Sequence, residues 1–100
     1  METIMDIEDI KNILSKHKHI IIERYKVKEI GIFGSYVKGI QTNTSDIDIL
    51  VDFSEAVSMF EFLELEEYLA NMLGVKVDMV SKNALKPYIG SYILKEAIYI

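Results

Sequence analysis

The chain has 100 residues and a formal net charge of −5; half of its residues are hydrophobic, one is proline and none is cysteine. This length suits one small domain, which we expect to span residues 1–100. The lack of cysteine excludes disulfides, zinc–thiolate centres and thiol nucleophiles, and it fits a reducing cytoplasm. The apolar runs are far shorter than the roughly 20 residues that cross a bilayer, so we expect a cytoplasmic protein without a membrane partner.

Acidic residues concentrate in the middle of the chain. Residues 41–75 contain eight acids and no base, whereas residues 1–40 and 76–100 each carry a small excess of bases. A chain of this balance does not attract polyanionic nucleic acid through bulk charge, so we expect no direct nucleic-acid partner. Four of the acids belong to one predicted helix, and we expect all four to be solvent-exposed: Glu61, Glu64, Glu66 and Glu67.

The N-terminal quarter of the chain predicts a helix. Apolar residues recur at helical spacing over residues 6–24, acids fill the first turn, and a break is expected near Ser15. His17 and His19 lie on this lysine-rich segment, and we interpret them as surface or boundary residues with no part in a site.

Two strands follow, separated by a turn and a polar loop. Residues 28–33 predict a short strand that ends at Gly34, and residues 41–44 predict the loop. Residues 46–53 give the clearest strand pattern, because their apolar members alternate onto one face: Ile47, Ile49, Val51 and Phe53.

The next segment predicts a helix with defined ends. Ser58 and Glu61 form a capping-box pattern at its start, and Gly74 is expected to end it in the left-handed conformation. Its apolar stripe is predicted from residues at helical spacing: Met59, Phe62, Leu65, Leu69 and Met72.

The C-terminal quarter predicts a strand and a final helix. Residues 75–80 alternate as a strand, Ser81 is expected to cap a short turn, and residues 90–97 predict a helix. Residues 97–100 fit either a strand or a tail. The order of elements predicts an α+β fold, a small mixed β-sheet with helices packed mainly on one side.

Three aspartates on two of these strands are candidates for metal binding. Asp46 and Asp48 share the face opposite the apolar row with their Cα atoms about 6.6 Å apart, so both can reach one cation. Asp52 lies six residues beyond Asp46, roughly 20 Å along the strand. It is too far to share an ion whose oxygen ligands lie at about 2.1 Å, and we interpret it as a surface residue. Asp78 completes the cluster if its strand is a neighbour.

Each aspartate taken alone has an ordinary structural interpretation. The Asp46–Asp48 pair also fits a loop-to-strand junction held by local hydrogen bonds. Asp78 alone fits an exposed strand residue.

The turn at Gly34-Ser35 is a candidate phosphate site. A strand that runs into Gly-Ser leaves the backbone N–H groups of Ser35 and Tyr36 free for phosphate oxygens, and Gly34 has no side chain to block a close approach. Lys38 can reach the same phosphates. The turn lacks the Gly-Lys-Ser/Thr element of a Walker loop, and taken alone it also fits a simple helix start.

Together, the pattern G-S-x(10)-D-x-D and the later strand aspartate resemble the DNA-polymerase-β-like nucleotidyltransferase superfamily. More narrowly, the chain resembles the minimal nucleotidyltransferase (MNT) antitoxins of prokaryotic HEPN/MNT toxin–antitoxin pairs, over nearly its whole length. The resemblance implies one minimal nucleotidyltransferase domain over residues 1–100. It implies a catalytic, Mg²⁺-binding set and a nucleotide-binding set: Asp46, Asp48 and Asp78, and Gly34, Ser35 and Lys38.

The resemblance also implies an activity and a partner. The expected enzyme is an ATP- and Mg²⁺-dependent adenylyltransferase that moves AMP onto a hydroxyl, expected to be a tyrosine, of a HEPN-type toxin with which it forms a hetero-oligomer. One alternative is a non-catalytic antitoxin that binds and masks the toxin, and another is transfer to a small molecule or an RNA 3′ end. Relatives often have arginine shortly after the Gly-Ser. Lys38 keeps the charge without the bidentate fork, which predicts weaker or differently oriented phosphate binding.

Overall fold

The structure is a computed structural model that describes residues 5–42, 44–85 and 87–100, with the backbone alone described at residues 87–89. Its α-helices are α1 (Ile7–Lys16), α2 (Lys18–Tyr25), α3 (Ser35–Lys38), α4 (Met59–Leu73) and α5 (Pro87–Glu96). Its strands are β1 (Val27–Phe33), β2 (Ile47–Phe53), β3 (Val77–Ser81) and β4 (Ile98–Tyr99), and a short 3₁₀ helix spans Lys82–Ala84. The predicted polar loop includes Asn43, which lies outside the described residues.

The strands form one mixed sheet in the order β3-β2-β1-β4. β1 is antiparallel to β2 and to β4, whereas β2 and β3 are parallel. The C-terminal residues, for which the sequence left two interpretations open, pair as a strand with Gly31 and Ile32 of β1. The predicted α+β fold with a small mixed sheet is confirmed.

The hydrophobic core lies between one face of the sheet and the helices α1, α2 and α4. The predicted alternation holds in β2, where Ile47, Ile49 and Val51 are fully buried in this core. Leu50 points to the opposite face and is also buried, although it lies outside the core cluster. The helices therefore pack mainly on one side, as the sequence predicts.

The ends of α4 form as predicted. The Ser58 hydroxyl accepts a hydrogen bond from the Glu61 backbone N–H at 3.1 Å, and the Glu61 carboxylate accepts one from the Ser58 backbone N–H at 3.1 Å. Gly74 ends the helix in the left-handed conformation, with φ of 70°. These signals are local, because the residues that satisfy the free helix ends lie within one turn of them.

The prediction for the buried face of α4 was partly wrong. Leu65 and Leu69 are buried, but Met59 is exposed and Leu73 takes a place in the core instead. Met59 is the first residue of the helix, and helical spacing predicts which way a side chain points but not whether the sheet covers it. Of the four glutamates expected to be exposed, Glu64 and Glu67 are exposed, whereas Glu61 and Glu66 are half-buried. The Glu66 carboxylate accepts the backbone N–H of Met79 on edge strand β3 at 3.1 Å.

The boundaries of other elements differ by a few residues. The N-terminal helix breaks at His17 rather than near Ser15, and the His17 ring hydrogen-bonds the Ile13 carbonyl at 2.9 Å. Within the described residues Ser81 makes no side-chain capping bond to the 3₁₀ helix that follows. The last helix begins at Pro87, because proline is well suited to a first helical turn.

None of the described helices is long and apolar enough to cross a membrane.

Candidate active site

Asp48 and Asp78 lie side by side on neighbouring strands. They are paired across the parallel strands β2 and β3, and paired residues of adjacent strands have Cα atoms about 4.8 Å apart. Asp78 is exposed and Asp48 is half-buried. The strand adjacency on which the predicted carboxylate cluster depends is therefore present.

Asp46 lies immediately before β2, on the same side as Asp48. Burial raises the pKa of the Asp48 carboxyl, and the negative charges of Asp78, Asp46 and Glu96 raise it further. Burial also raises the pKa of the Tyr36 hydroxyl, with a smaller contribution from the charge of Asp46. Asp48 thus lies near three other carboxylates, and both its burial and their charges disfavour its ionised form. A bound cation would stabilise that ionised form.

Gly34 makes room for the Asp48 carboxylate. It has φ of 80° and ψ of −148°, a backbone conformation that residues with side chains rarely adopt. A Cβ atom built on Gly34 would collide with the carboxylate of Asp48. From the sequence, we expected that the missing side chain of Gly34 lets a phosphate approach closely. The structure shows that it also leaves space for the Asp48 carboxylate of β2.

The backbone after Gly34 begins the short helix α3. The carbonyl of Gly34 accepts the N–H groups of Val37 and Lys38 at 3.1 and 3.2 Å. Among the described residues the N–H groups of Ser35 and Tyr36 have no hydrogen-bond acceptor, as expected at a helix start. The arrangement predicted for the Gly34-Ser35 turn is therefore present in the backbone.

Glu96 of α5 belongs to the same site, and sequence reasoning missed it. Its Oε1 atom accepts the N–H of Gly34 at 3.2 Å and lies 3.8 Å from the Lys38 ammonium. The contact joins residues 62 positions apart in the sequence. Because this contact depends on how the last helix docks, no local sequence motif predicts it.

Asp52 lies apart from this cluster, as predicted. It pairs with Glu29 across β1 and β2, and it is half-buried rather than a fully exposed surface residue. Its position four residues beyond Asp48 keeps it roughly 13 Å away along the strand.

A cavity of about 740 Å³ opens at the other end of the sheet, lined among others by Phe53, Phe62 and Ser81. Asp48 is five residues from Phe53 along β2, a separation of about 16 Å. The size of this cavity gives no reason to place the chemistry there, because the paired carboxylates and the Gly34-Ser35 turn lie at the opposite ends of the strands.

In the part of the chain that the structure describes, no three His, Asp or Glu side chains are close enough together to hold a metal ion as they stand. The donor chemistry nevertheless suits Mg²⁺, which prefers oxygen ligands. The pairing of Asp48 with Asp78 leaves their backbones near enough for both carboxylates to reach one ion. The predicted magnesium site stays a prediction.

Comparison with known proteins identifies the family. The sequence profile of the nucleotidyltransferase domain matches residues 14–100. The chain belongs to the nucleotidyltransferase domain family. It is 49% identical to the protein adenylyltransferase MntA of Thermococcus cleftensis, over 96% of this chain and 97% of that protein. It is 55% identical to a Methanocaldococcus jannaschii protein provisionally named protein adenylyltransferase MJ0128, over 94% of this chain and 97% of the relative.

Solved structures of similar fold point the same way. A minimal nucleotidyltransferase matches with a TM-score of 0.76 and 29% identity, over 97% of this chain and 98% of that one. A toxin–antitoxin complex with AMP-PNP contains a chain with a TM-score of 0.74 and 28% identity, covering 89% of this chain and 70% of that one. The complex of tri-AMPylated HEPN toxin with MNT antitoxin from Shewanella oneidensis contains one with a TM-score of 0.60 and 26% identity, over 86% and 68%.

These findings confirm two predictions made from the sequence. The resemblance to minimal nucleotidyltransferases of HEPN/MNT pairs holds across most of the chain. The chain is an enzyme of the nucleotidyltransferase class, with relatives named as protein adenylyltransferases.

Proposed function

We propose that this chain is an antitoxin that transfers AMP from ATP to a tyrosine hydroxyl of a HEPN-type toxin, with Mg²⁺ as its cofactor. The observation that carries the proposal is the pairing of Asp48 with Asp78 beside the Gly34-Ser35 turn. The names of the relatives support adenylyl transfer to protein, and the Shewanella oneidensis complex supports a HEPN toxin as the acceptor.

The carboxylate cluster would hold the metal. Asp46 and Asp48 precede and begin β2, and Asp78 lies opposite Asp48. Together they offer the oxygen donors that Mg²⁺ prefers. When bound, Mg²⁺ neutralises charge on the triphosphate and lowers the pKa of a nearby hydroxyl. The crowding of negative charge around Asp48 supports the assignment, because a dication would turn that repulsion into attraction.

The turn would hold the departing end of ATP. The N–H groups of Ser35 and Tyr36 and the Ser35 hydroxyl would donate to the β- and γ-phosphates. Lys38 would add positive charge, which suits a pyrophosphate leaving group. This placement directs the α-phosphate toward the aspartates, because the Asp48 carboxylate lies against Gly34.

In the proposed reaction the tyrosine oxygen of the toxin forms a bond to the α-phosphorus of ATP. The bond from that phosphorus to the bridging oxygen breaks, and pyrophosphate leaves with the electron pair. Asp78 is the most exposed of the paired aspartates and would accept the proton of the hydroxyl. Asp46 and Asp48 keep their place beside the α-phosphate.

The charge of the chain suits such a partner. Residues 41–75 contain eight Asp and Glu residues and no Lys or Arg. A ribonuclease toxin presents basic residues to RNA, so an acidic antitoxin surface favours association and steers the encounter.

The direct test mixes the chain with a HEPN-type toxin, Mg²⁺ and ATP labelled at the α-phosphate. We expect label on the toxin, located at a tyrosine by peptide mass spectrometry. The variants Asp46→Asn and Asp48→Asn should transfer none, whereas Asp52→Asn on the same strand should transfer label as the unaltered chain does.

Two outcomes would oppose the proposal. Neutralisation of the toxin without label on it would indicate that the chain acts by masking. Label that survives protease and migrates as RNA or as a small molecule would identify a different acceptor.

A further inference from the structure

Glu96 connects the last helix to the turn that would hold the phosphates. Its side chain is only 17% exposed, and its Oε1 atom accepts the Gly34 N–H at 3.2 Å. The same oxygen lies 3.8 Å from the Lys38 ammonium, which is about half exposed. One atom of α5 therefore contacts both ends of the segment from Gly34 to Lys38.

The Gly34 N–H is a sensitive point in this segment. Glycine has more backbone freedom than any other residue, so its orientation depends on the hydrogen bonds that hold it. Its carbonyl accepts the N–H groups of Val37 and Lys38, and so it sets the start of α3. A rotation at Gly34 would therefore redirect the unpaired N–H groups of Ser35 and Tyr36.

The contact with Lys38 acts on the same segment. A lysine side chain has many rotamers, and an ion pair limits them at a modest energetic gain when it is partly exposed. Glu96 keeps the ammonium beside the turn instead of free in solvent. This matters more for a lysine than for an arginine, because lysine has no planar fork that fixes its direction.

We propose that Glu96 is a positioning residue for the β- and γ-phosphates of ATP. It acts through the Gly34 N–H and Lys38 and does not itself touch the nucleotide. The inference rests on the proposed function, since it needs ATP phosphates at the Gly34-Ser35 turn. The proposed function rests on the aspartates and the Gly34-Ser35 turn and gives no role to α5. The present inference gives α5 a role in nucleotide binding.

Two substitutions of Glu96 separate the effect of its hydrogen bond from the effect of its charge. Glu96→Gln keeps an oxygen at the same distance from the backbone and can still accept the Gly34 N–H, but it loses the negative charge. Glu96→Asp keeps the charge, but its shorter side chain cannot reach Gly34. Loss of a charge-assisted hydrogen bond is worth about a factor of ten in an equilibrium constant.

The experiment measures the dissociation constant of ATP with Mg²⁺ by calorimetry for the unaltered chain, both Glu96 variants and Glu64→Gln. Glu64 is an exposed residue of α4 and serves as a charge-matched control. We expect Glu96→Asp to weaken ATP binding about tenfold, and Glu96→Gln and Glu64→Gln to bind within about threefold of the unaltered chain. Circular dichroism confirms folding, and Glu96→Ala replaces Glu96→Asp if the latter does not fold.

The outcomes separate this inference from the function on which it rests. Equal ATP affinity in Glu96→Asp and the unaltered chain would overturn the positioning role. So would a loss in Glu96→Gln as large as that in Glu96→Asp, because an acceptor for the Gly34 N–H would then fail to preserve ATP binding. Failure of the unaltered chain to bind ATP would refute the proposed function itself.

Discussion

The Asp48 carboxylate occupies the space in which a side chain on Gly34 would lie. The turn after β1 and the carboxylates of β2 are therefore one packed unit, although ten residues separate Ser35 from Asp46 in the sequence. A change in either part displaces the other.

Gly34→Ala should remove ATP binding and destabilise the fold. The new Cβ meets the Asp48 carboxylate, and the backbone conformation at Gly34 is costly for alanine, so we expect a loss of about 1–3 kcal/mol in the free energy of unfolding. Gly39→Ala is the matched control, because Gly39 also has positive φ but no atom lies near its Cβ position. It should cost about 1 kcal/mol and retain ATP binding. Urea unfolding and calorimetry of both variants check this, and equal behaviour of the two would refute the contact.

Asp48→Asn should stabilise the protein when neither Mg²⁺ nor nucleotide is present. Like charges directly opposite each other on neighbouring strands are destabilising, and relief of the Asp48–Asp78 repulsion is worth up to about 1 kcal/mol. For a domain of this size that is a rise of about 4–8 °C in melting temperature. Asp78→Asn relieves the same repulsion, so the gain of the double variant should be smaller than the sum of the single gains. A lower melting temperature for Asp48→Asn would contradict the prediction.

Glu61 should stabilise the fold at neutral pH and lose its effect in acid. Its pKa is lowered chiefly by the Ser58 backbone N–H, and also by Lys26, whose ammonium lies 3.1 Å away. A lowered acid pKa gives a contribution that is present above the ordinary value of 4.5 and lost as pH falls through the folded value. Glu61 raises the pKa of Lys26. The contribution of Lys26 to stability is therefore fully present below pH 10.5, and it is lost as pH rises through the pKa of Lys26 in the folded protein.

The pH dependence can be measured with Glu61→Gln. Its melting temperature should lie below that of the unaltered chain at neutral pH, and the difference should vanish in acid once Glu61 is protonated. Glu64→Gln removes the same charge from the same helix and should show a smaller difference at neutral pH. A difference for Glu61→Gln that persists unchanged into acid would show that the charge has no part in it.

Leu69→Ala should cost about 2–5 kcal/mol, because Leu69 is fully buried in the core. Leu63→Ala on the same helix removes the same atoms from a residue that is 50% exposed, and it should change stability by less than about 1 kcal/mol. Chemical denaturation compares the two. Similar losses would mean that α4 packs on the sheet through a different face.

Local signals in the sequence predicted the elements that local contacts create. The Ser58–Glu61 box and Gly74 set the ends of α4 because their hydrogen-bond partners lie within a turn of the helix. The alternation of Ile47, Ile49 and Val51 predicted the buried face of β2 for a similar reason, since side chains two apart share a face.

The parts of the site that depend on tertiary contacts were predicted less completely. The Gly-Ser and Asp-x-Asp patterns indicated which residues to consider, whereas the sequence left open whether the strand of Asp78 is a neighbour, and β3 proves to pair with β2. Glu96 was missed because its partners Gly34 and Lys38 are near only after α5 docks. The exposure of Met59 was missed for the same reason. Helical spacing predicts the face on which a side chain lies, but not whether another element packs over it.

The most direct measurement of the central claim is calorimetric titration of ATP into the unaltered chain, Asp48→Asn and Asp52→Asn, each with and without Mg²⁺. We predict that the unaltered chain and Asp52→Asn bind ATP only when Mg²⁺ is present, and that Asp48→Asn binds it in neither condition. ATP binding by Asp48→Asn at full affinity, or binding by the unaltered chain that is indifferent to Mg²⁺, would contradict a nucleotide site built on the paired aspartates.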